Sequence, residues 1–158
     1  FSMINNLLHL LTNENIYLVA NWSVLPFWLL LIIIPNHNAT NFLVKSIISP
    51  LLLSSAYCFV AYNIFLDGSI LDSFELYRGL DGLYAMFSNE SFLLVFWLHF
   101  LTISLFVGSW IVSDSSKFMI PKFFVILSLI LTYFAGPVGL VIYWFIRIFF
   151  AKKINFND

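Results

Sequence analysis

Charge is what this sequence has least of. Asp, Glu, Lys and Arg together make up 9% of its residues, against about 25% in an ordinary soluble domain. A soluble fold of this length needs a polar surface over its core, and there is too little polar material to supply one. The few charges sum to −1, so no concentrated basic face exists for nucleic acid. Cysteine occurs once, at Cys58 inside an apolar run, which excludes a disulfide framework. The histidines, His9, His37 and His99, lie far apart. A non-haem iron site wants three ligands converging on one point, so no metal is expected. Neither Ser104 nor Cys58 has a base within a helical turn, and a nucleophile needs one. Internal repeats and low-complexity tracts are also missing.

What is there is apolar. Hydrophobic residues make up 61% of the chain and aromatic ones 20%, with a mean hydropathy of +0.96. The charged residues fall between four long apolar runs and never inside them. These runs, at 15–34, 46–66, 91–113 and 123–146, are near the roughly 20 residues needed to cross about 30 Å of hydrocarbon. The expected fold is all-α: an integral membrane bundle of four transmembrane helices occupying 15–147. An interfacial segment at 1–14 precedes it and a basic C-terminal tail at 148–158 follows. Pro26 interrupts the first run, Pro50 opens the second, and Gly136-Pro137-Val138-Gly139 breaks the fourth. The connection Asp67–Glu90 is acidic, and Leu80, Leu83, Met86 and Phe87 share one helical face in it, as in a short helix at a membrane surface. Tyr17, Trp22, Trp110, Tyr143 and Trp144 collect toward the run ends, as interfacial aromatic belts do. Four crossings place Arg78, Arg147, Lys152 and Lys153 on one side against Lys45, Lys117 and Lys122 on the other, which leaves the orientation undecided.

Within the third run stands His99, an imidazole in a stretch without charge. Lipid offers it no hydrogen bond, so neighbouring helices are expected to enclose it. Counting helix rise from the side of the N-terminus puts Asn21 roughly 9 Å deep, His99 roughly 12 Å, Tyr57 roughly 13 Å and Gly136-Pro137 roughly 14 Å. Thr102, one turn beyond His99, shares its face. A buried ionisable group in a membrane points to function by default, with His99, Asn21 and Tyr57 as candidates for chemistry and Thr102, Gly136 and Pro137 for ligand contact. The other use of the same residues is a packing network that fixes helix register.

The order of motifs carries a resemblance. Asn21 is followed by Leu25-Pro26-Phe27-Trp28 and Pro35, then Pro50, then Trp97-Leu98-His99. Phe106-Val107-Gly108-Ser109-Trp110-Ile111 comes next, with Asp114, Ile120-Pro121 and Gly136-Pro137-Val138-Gly139 behind it. Over about Asn15 to Arg147 this series resembles the neoxanthin-synthesis family, plastid membrane proteins named for abscisic-acid deficiency, with bacterial and cyanobacterial relatives. The resemblance implies a four-helix membrane protein of carotenoid metabolism, associated in plants with turning violaxanthin into neoxanthin. Ser104 stands where family members often carry an aspartate. A carotenoid or other polyisoprenoid lipid is then the expected ligand, held in an apolar groove between helices, with His99 as acid and base. The expected location is a bacterial inner membrane or a thylakoid or plastid membrane, among membrane lipids. A non-catalytic pigment carrier, or a structural subunit or assembly factor of a larger membrane complex, remains the alternative.

Overall fold

A computed structural model describes residues 11–68, 74 and 77–152. Most of the interfacial N-terminal segment, part of the acidic connection and most of the basic tail fall outside the described residues. Those described are helical, with no strand: α1 (Asn13–Ile33), α2 (Asn38–Leu43), α3 (Ile48–Leu66), α4 (Leu80–Phe87), α5 (Glu90–Lys117), α6 (Lys122–Ala135) and α7 (Pro137–Ala151). Helix α1 continues through Pro26, and the Asn89 side chain caps α5 by accepting from the backbone N–H groups of Ser91 (3.0 Å) and Phe92 (3.3 Å).

The chain forms two compact units, one of residues 1–23 and 51–102, the other of 24–50 and 103–158. In the first, α1, α3 and α5 each bury a narrow stripe: Ile16 and Ala20, then Leu53, Val60 and Ile64, then Leu94, Leu98 and Leu101. Their other faces stay apolar as well, with Val19, Trp22, Leu51, Phe65 and Leu93 exposed. A helix that is hydrophobic all round belongs in hydrocarbon or in the heart of a large protein. The short helix expected in the acidic connection is present as α4; it buries Met86 but leaves Leu80, on the expected apolar face, and Tyr84 exposed.

In the second unit Val24, Trp28 and Leu31 of α1 are buried together with Leu105, Ile111 and Val112 of α5. Gly108 lies under the Trp28 indole, where a Cβ would come within 2.7 Å of the ring edge. Helices α6 and α7 differ from the expectation. The fourth apolar run is not one span but a hairpin. Gly136 adopts φ 49°, ψ −96°, a backbone that L side chains rarely enter. Pro137 then opens α7 without an N–H to continue the helical ladder. The two helices fold back so closely that a methyl group on Gly139 would overlap Thr132 and the Ser128 carbonyl. Phe124 and Phe150 meet with ring centroids 5.5 Å apart; a continuous helix would separate them by roughly 39 Å.

Among the described residues three stretches are therefore long and apolar enough to cross a membrane, Asn13–Ile33, Asn38–Leu66 and Glu90–Lys117, and not four. With 14 and 15 residues, α6 and α7 reach roughly 21 and 22 Å each, short of the hydrocarbon thickness. Replacing Gly139 by Ala should destabilise the protein by about 1–3 kcal/mol, whereas the neighbouring Val138→Ala, at an exposed position, should leave thermal unfolding in detergent nearly unchanged.

Candidate functional site

Among the described residues, both units hold chemically capable side chains. In the first, Asn21 is fully engaged: its Oδ1 accepts from the Trp97 indole N–H at 3.0 Å and its Nδ2 donates to the Tyr17 carbonyl at 2.8 Å. Tyr57 lies beside His99, ring centroids 6.4 Å apart. Trp97 and His99 are separated by roughly 3 Å of helix rise, so Asn21 and Tyr57 reach α5 at nearly one level, as helix counting implies. They do not converge on one point. Asn21 meets α5 at Trp97, and Tyr57 meets it at His99.

His99 is exposed, which corrects the expectation that helices enclose it. The reason is physical. A helix apolar on every side has no polar face to signal its outside, and α5 turns Leu94, Leu98 and Leu101 inward instead. Neither His99 nor Tyr57 has a hydrogen-bond partner among the described residues. The Thr102 hydroxyl donates to the Leu98 carbonyl at 2.7 Å and so is used within its own helix. Gly136 and Pro137 belong to the second unit, where they make the hairpin turn.

The second unit contains a cluster that sequence reasoning missed. Asp114, on the last turn of α5, receives the Tyr143 hydroxyl at 2.7 Å and the Arg147 Nε at 2.7 Å, both on Oδ2. A longer contact of 3.4 Å joins an Arg147 terminal nitrogen to Oδ1. Arg147 and Tyr143 are 0% exposed and Asp114 is 3% exposed. Tyr143 and Arg147 stand one turn apart on α7 and so present one face to α5. The guanidinium lies over the rings of Phe118 (4.7 Å) and Trp144 (5.1 Å), and Trp110 closes edge-on against Tyr143 at 5.6 Å. Stacking of this kind desolvates an arginine while retaining some attraction for its charge. Tyr143 is thus not part of an interfacial belt. One signal was in the sequence: Arg147 sits between Ile146 and Ile148, with apolar residues continuing to Ala151, so the apolar run does not end there.

The buried pair is closed by rings and its charges cancel, which suits it to holding α7 against α5. Among the described residues no group of three or more His, Cys, Asp or Glu could hold a metal ion. In the first unit the His99–Tyr57 edge and a groove between α1 and α3 are open to an outside molecule. That groove encloses about 420 Å³ and is lined by Ile16, Val19, Ala20 and Ser23 on one side and Leu52 and Ala56 on the other.

Fold and side chains together define an all-helical protein with membrane-compatible helices, a short hairpin and a buried ion pair. The chain belongs to the ABA DEFICIENT 4-like family, whose pattern matches residues 15–143. It is 26% identical over 104 residues to the chloroplastic protein ABA DEFICIENT 4 of Arabidopsis thaliana, covering 64% of this chain and 47% of that protein. The chain thus spans about half the length of this curated relative. No solved structure matches.

Removing one partner from a buried ion pair leaves an uncompensated charge. Asp114→Ala should lower stability by about 3–5 kcal/mol, and Tyr143→Phe by about 1 kcal/mol. The double variant Asp114→Leu/Arg147→Met should recover most of the loss, read as thermal unfolding in detergent.

Proposed function

We propose that this chain serves carotenoid metabolism in a membrane, binding a carotenoid or a similar rigid polyisoprenoid along the α1–α3 groove and isomerising it, with His99 moving the proton. Family membership supports the metabolic setting, and the groove is the observation that carries the binding. Its lining combines small residues, Ala20, Ser23 and Ala56, with larger apolar ones, Ile16, Leu52 and Phe59. A long, flat polyene chain suits such an apolar slot, and it needs few polar contacts.

Opening an epoxide to an allenic alcohol is an isomerisation. A proton goes onto the ring oxygen, the C–O bond breaks, and a proton leaves a neighbouring carbon, so neither oxidant nor reductant enters. One imidazole can serve both steps, giving a proton as imidazolium and accepting one when neutral. His99 lies on α5 and does not line the groove. Tyr57 is the link between the two, since it contacts His99 and directly follows Ala56 in sequence. A ligand lying in the groove with its end group past Ala56 would bring oxygen toward that edge.

The exposed His99 also supports a second reading. An imidazole without a partner on a surface facing lipid tails is costly, and a neighbouring protein chain would relieve the cost. On this reading the chain is a structural subunit or assembly factor of a larger membrane complex.

Expression in a carotenoid-producing host separates them. The protein purified in detergent should keep carotenoid absorption, and Ala20→Leu/Ala56→Leu should lose it while helical circular dichroism persists. His99→Ala should keep the pigment and stop product formation; unchanged product by pigment chromatography removes the catalytic role. A colourless protein that co-purifies in fixed ratio with a larger complex favours the second reading.

A further inference from the structure

The helices sort the charges by sign. Glu14 stands in the first turn of α1 and Glu90 begins α5, while Asp67 directly follows α3. At the opposite ends of the same helices the residues are basic. The Lys122 ammonium donates to the Ile33 carbonyl at the end of α1 (3.0 Å), Lys45 precedes α3, and Lys117 ends α5. Asn36 gathers this rim: its Oδ1 accepts from Lys45 Nζ at 3.5 Å and from the Ser116 hydroxyl at 3.3 Å. A pocket of about 320 Å³ opens there, lined by Asn36, Ser115, Ser116, Met119 and Lys122 among others.

The hairpin adds to this rim. Because α7 returns along α6, the Phe124–Phe150 contact brings Lys152 to the end where Lys122 stands. Arg147 contributes no net charge, since Asp114 cancels it. Four crossings would put Lys152 opposite Lys122 and divide the basic residues nearly evenly. The hairpin instead leaves Lys45, Lys117, Lys122 and Lys152 at one end, with Arg78 the one described basic residue in the acidic connection.

Basic residues close to span ends are retained on the side where a membrane protein is made, and that leaflet carries the anionic lipid. We infer that the lysine rim around Asn36 is the face that meets the phosphate headgroups of the anionic leaflet on the side of synthesis, and that Lys152 lies on that same side. The inference is independent of any pigment. It assigns Glu90, at the other end of α5, and α4 to the far side of the membrane.

The test uses the full chain with Cys58→Ser as background and single cysteines Lys117→Cys, Lys152→Cys and Asp81→Cys, all at exposed positions. Bacterial membrane vesicles of known sidedness are treated with a membrane-impermeant maleimide. Lys117→Cys and Lys152→Cys should react only from the cytoplasmic face and Asp81→Cys only from the other. Labelling of Lys117→Cys and Lys152→Cys from opposite faces overturns the shared side, and labelling of both from the outer face overturns the orientation. The headgroup is tested by reconstitution into phosphatidylglycerol or phosphatidylcholine vesicles. One orientation should dominate severalfold in phosphatidylglycerol, and Lys117→Gln/Lys152→Gln, which alters no described hydrogen bond, should abolish the bias. An equal mixture of orientations in both lipids, or a bias the variant does not change, overturns the headgroup contact.

Discussion

Asp114 and Arg147 lie 33 residues apart in the chain and meet without water between them, and the second unit depends on that meeting. Helix α7 leaves a glycine turn that has no side chain to guide it. Its return along α6 rests on Gly139 lying against Ser128 and Thr132, which sets how near the two helices come. What sets how α7 is turned about its own axis is the charge pair, because only one rotation brings both Tyr143 and Arg147 to Asp114. Neutral packing among Phe, Leu and Ile tolerates many rotations of nearly equal energy, whereas a desolvated carboxylate tolerates few.

The same economy governs many of the other polar groups in the helices. Ser23, Ser55, Thr102, Ser113, Ser128 and Thr132 each give their hydroxyl proton to a carbonyl three or four residues back on the same helix. Such bonds use no neighbour and leave the helix exterior apolar. Asn21 does the same with one end of its amide and spends the other on Trp97. Among the described residues no buried side-chain nitrogen or oxygen lacks a partner. This pattern is what a chain surrounded by hydrocarbon requires, since nothing outside the protein can complete an unmade bond.

Much of this was legible in the sequence. The runs at 15–34, 46–66 and 91–113 correspond to α1, α3 and α5 within a few residues, because apolar length is a direct physical requirement of the span. Helix α4 could be seen from the spacing of Leu80, Leu83, Met86 and Phe87. The hairpin could not, although Gly136 and Pro137 were noted: hydropathy counts apolar residues and is blind to direction, so a helix that turns back reads like one that continues. Asp114 and Arg147 were legible as charges near run ends but not as a pair, since nothing local links α5 to α7. The exposure of His99 was hidden for the opposite reason. Amphipathic patterning reports which face of a helix is inside only when the outside is polar, and on α5 it is not.

These facts divide the ionisable groups into two kinds. Proton transfer at Asp114, Tyr143 or Arg147 would break contacts that hold α7 in place, so chemistry there and stability cannot be separated. His99 is different, because its ring nitrogens hold nothing together in the fold. A ligand or a neighbouring chain could meet it without disturbing any described hydrogen bond. Among the described residues no buried side-chain nitrogen or oxygen lacks a partner. His99 and Tyr57 share an edge outside that closed set, and a partner there would complete bonds the fold itself leaves unmade.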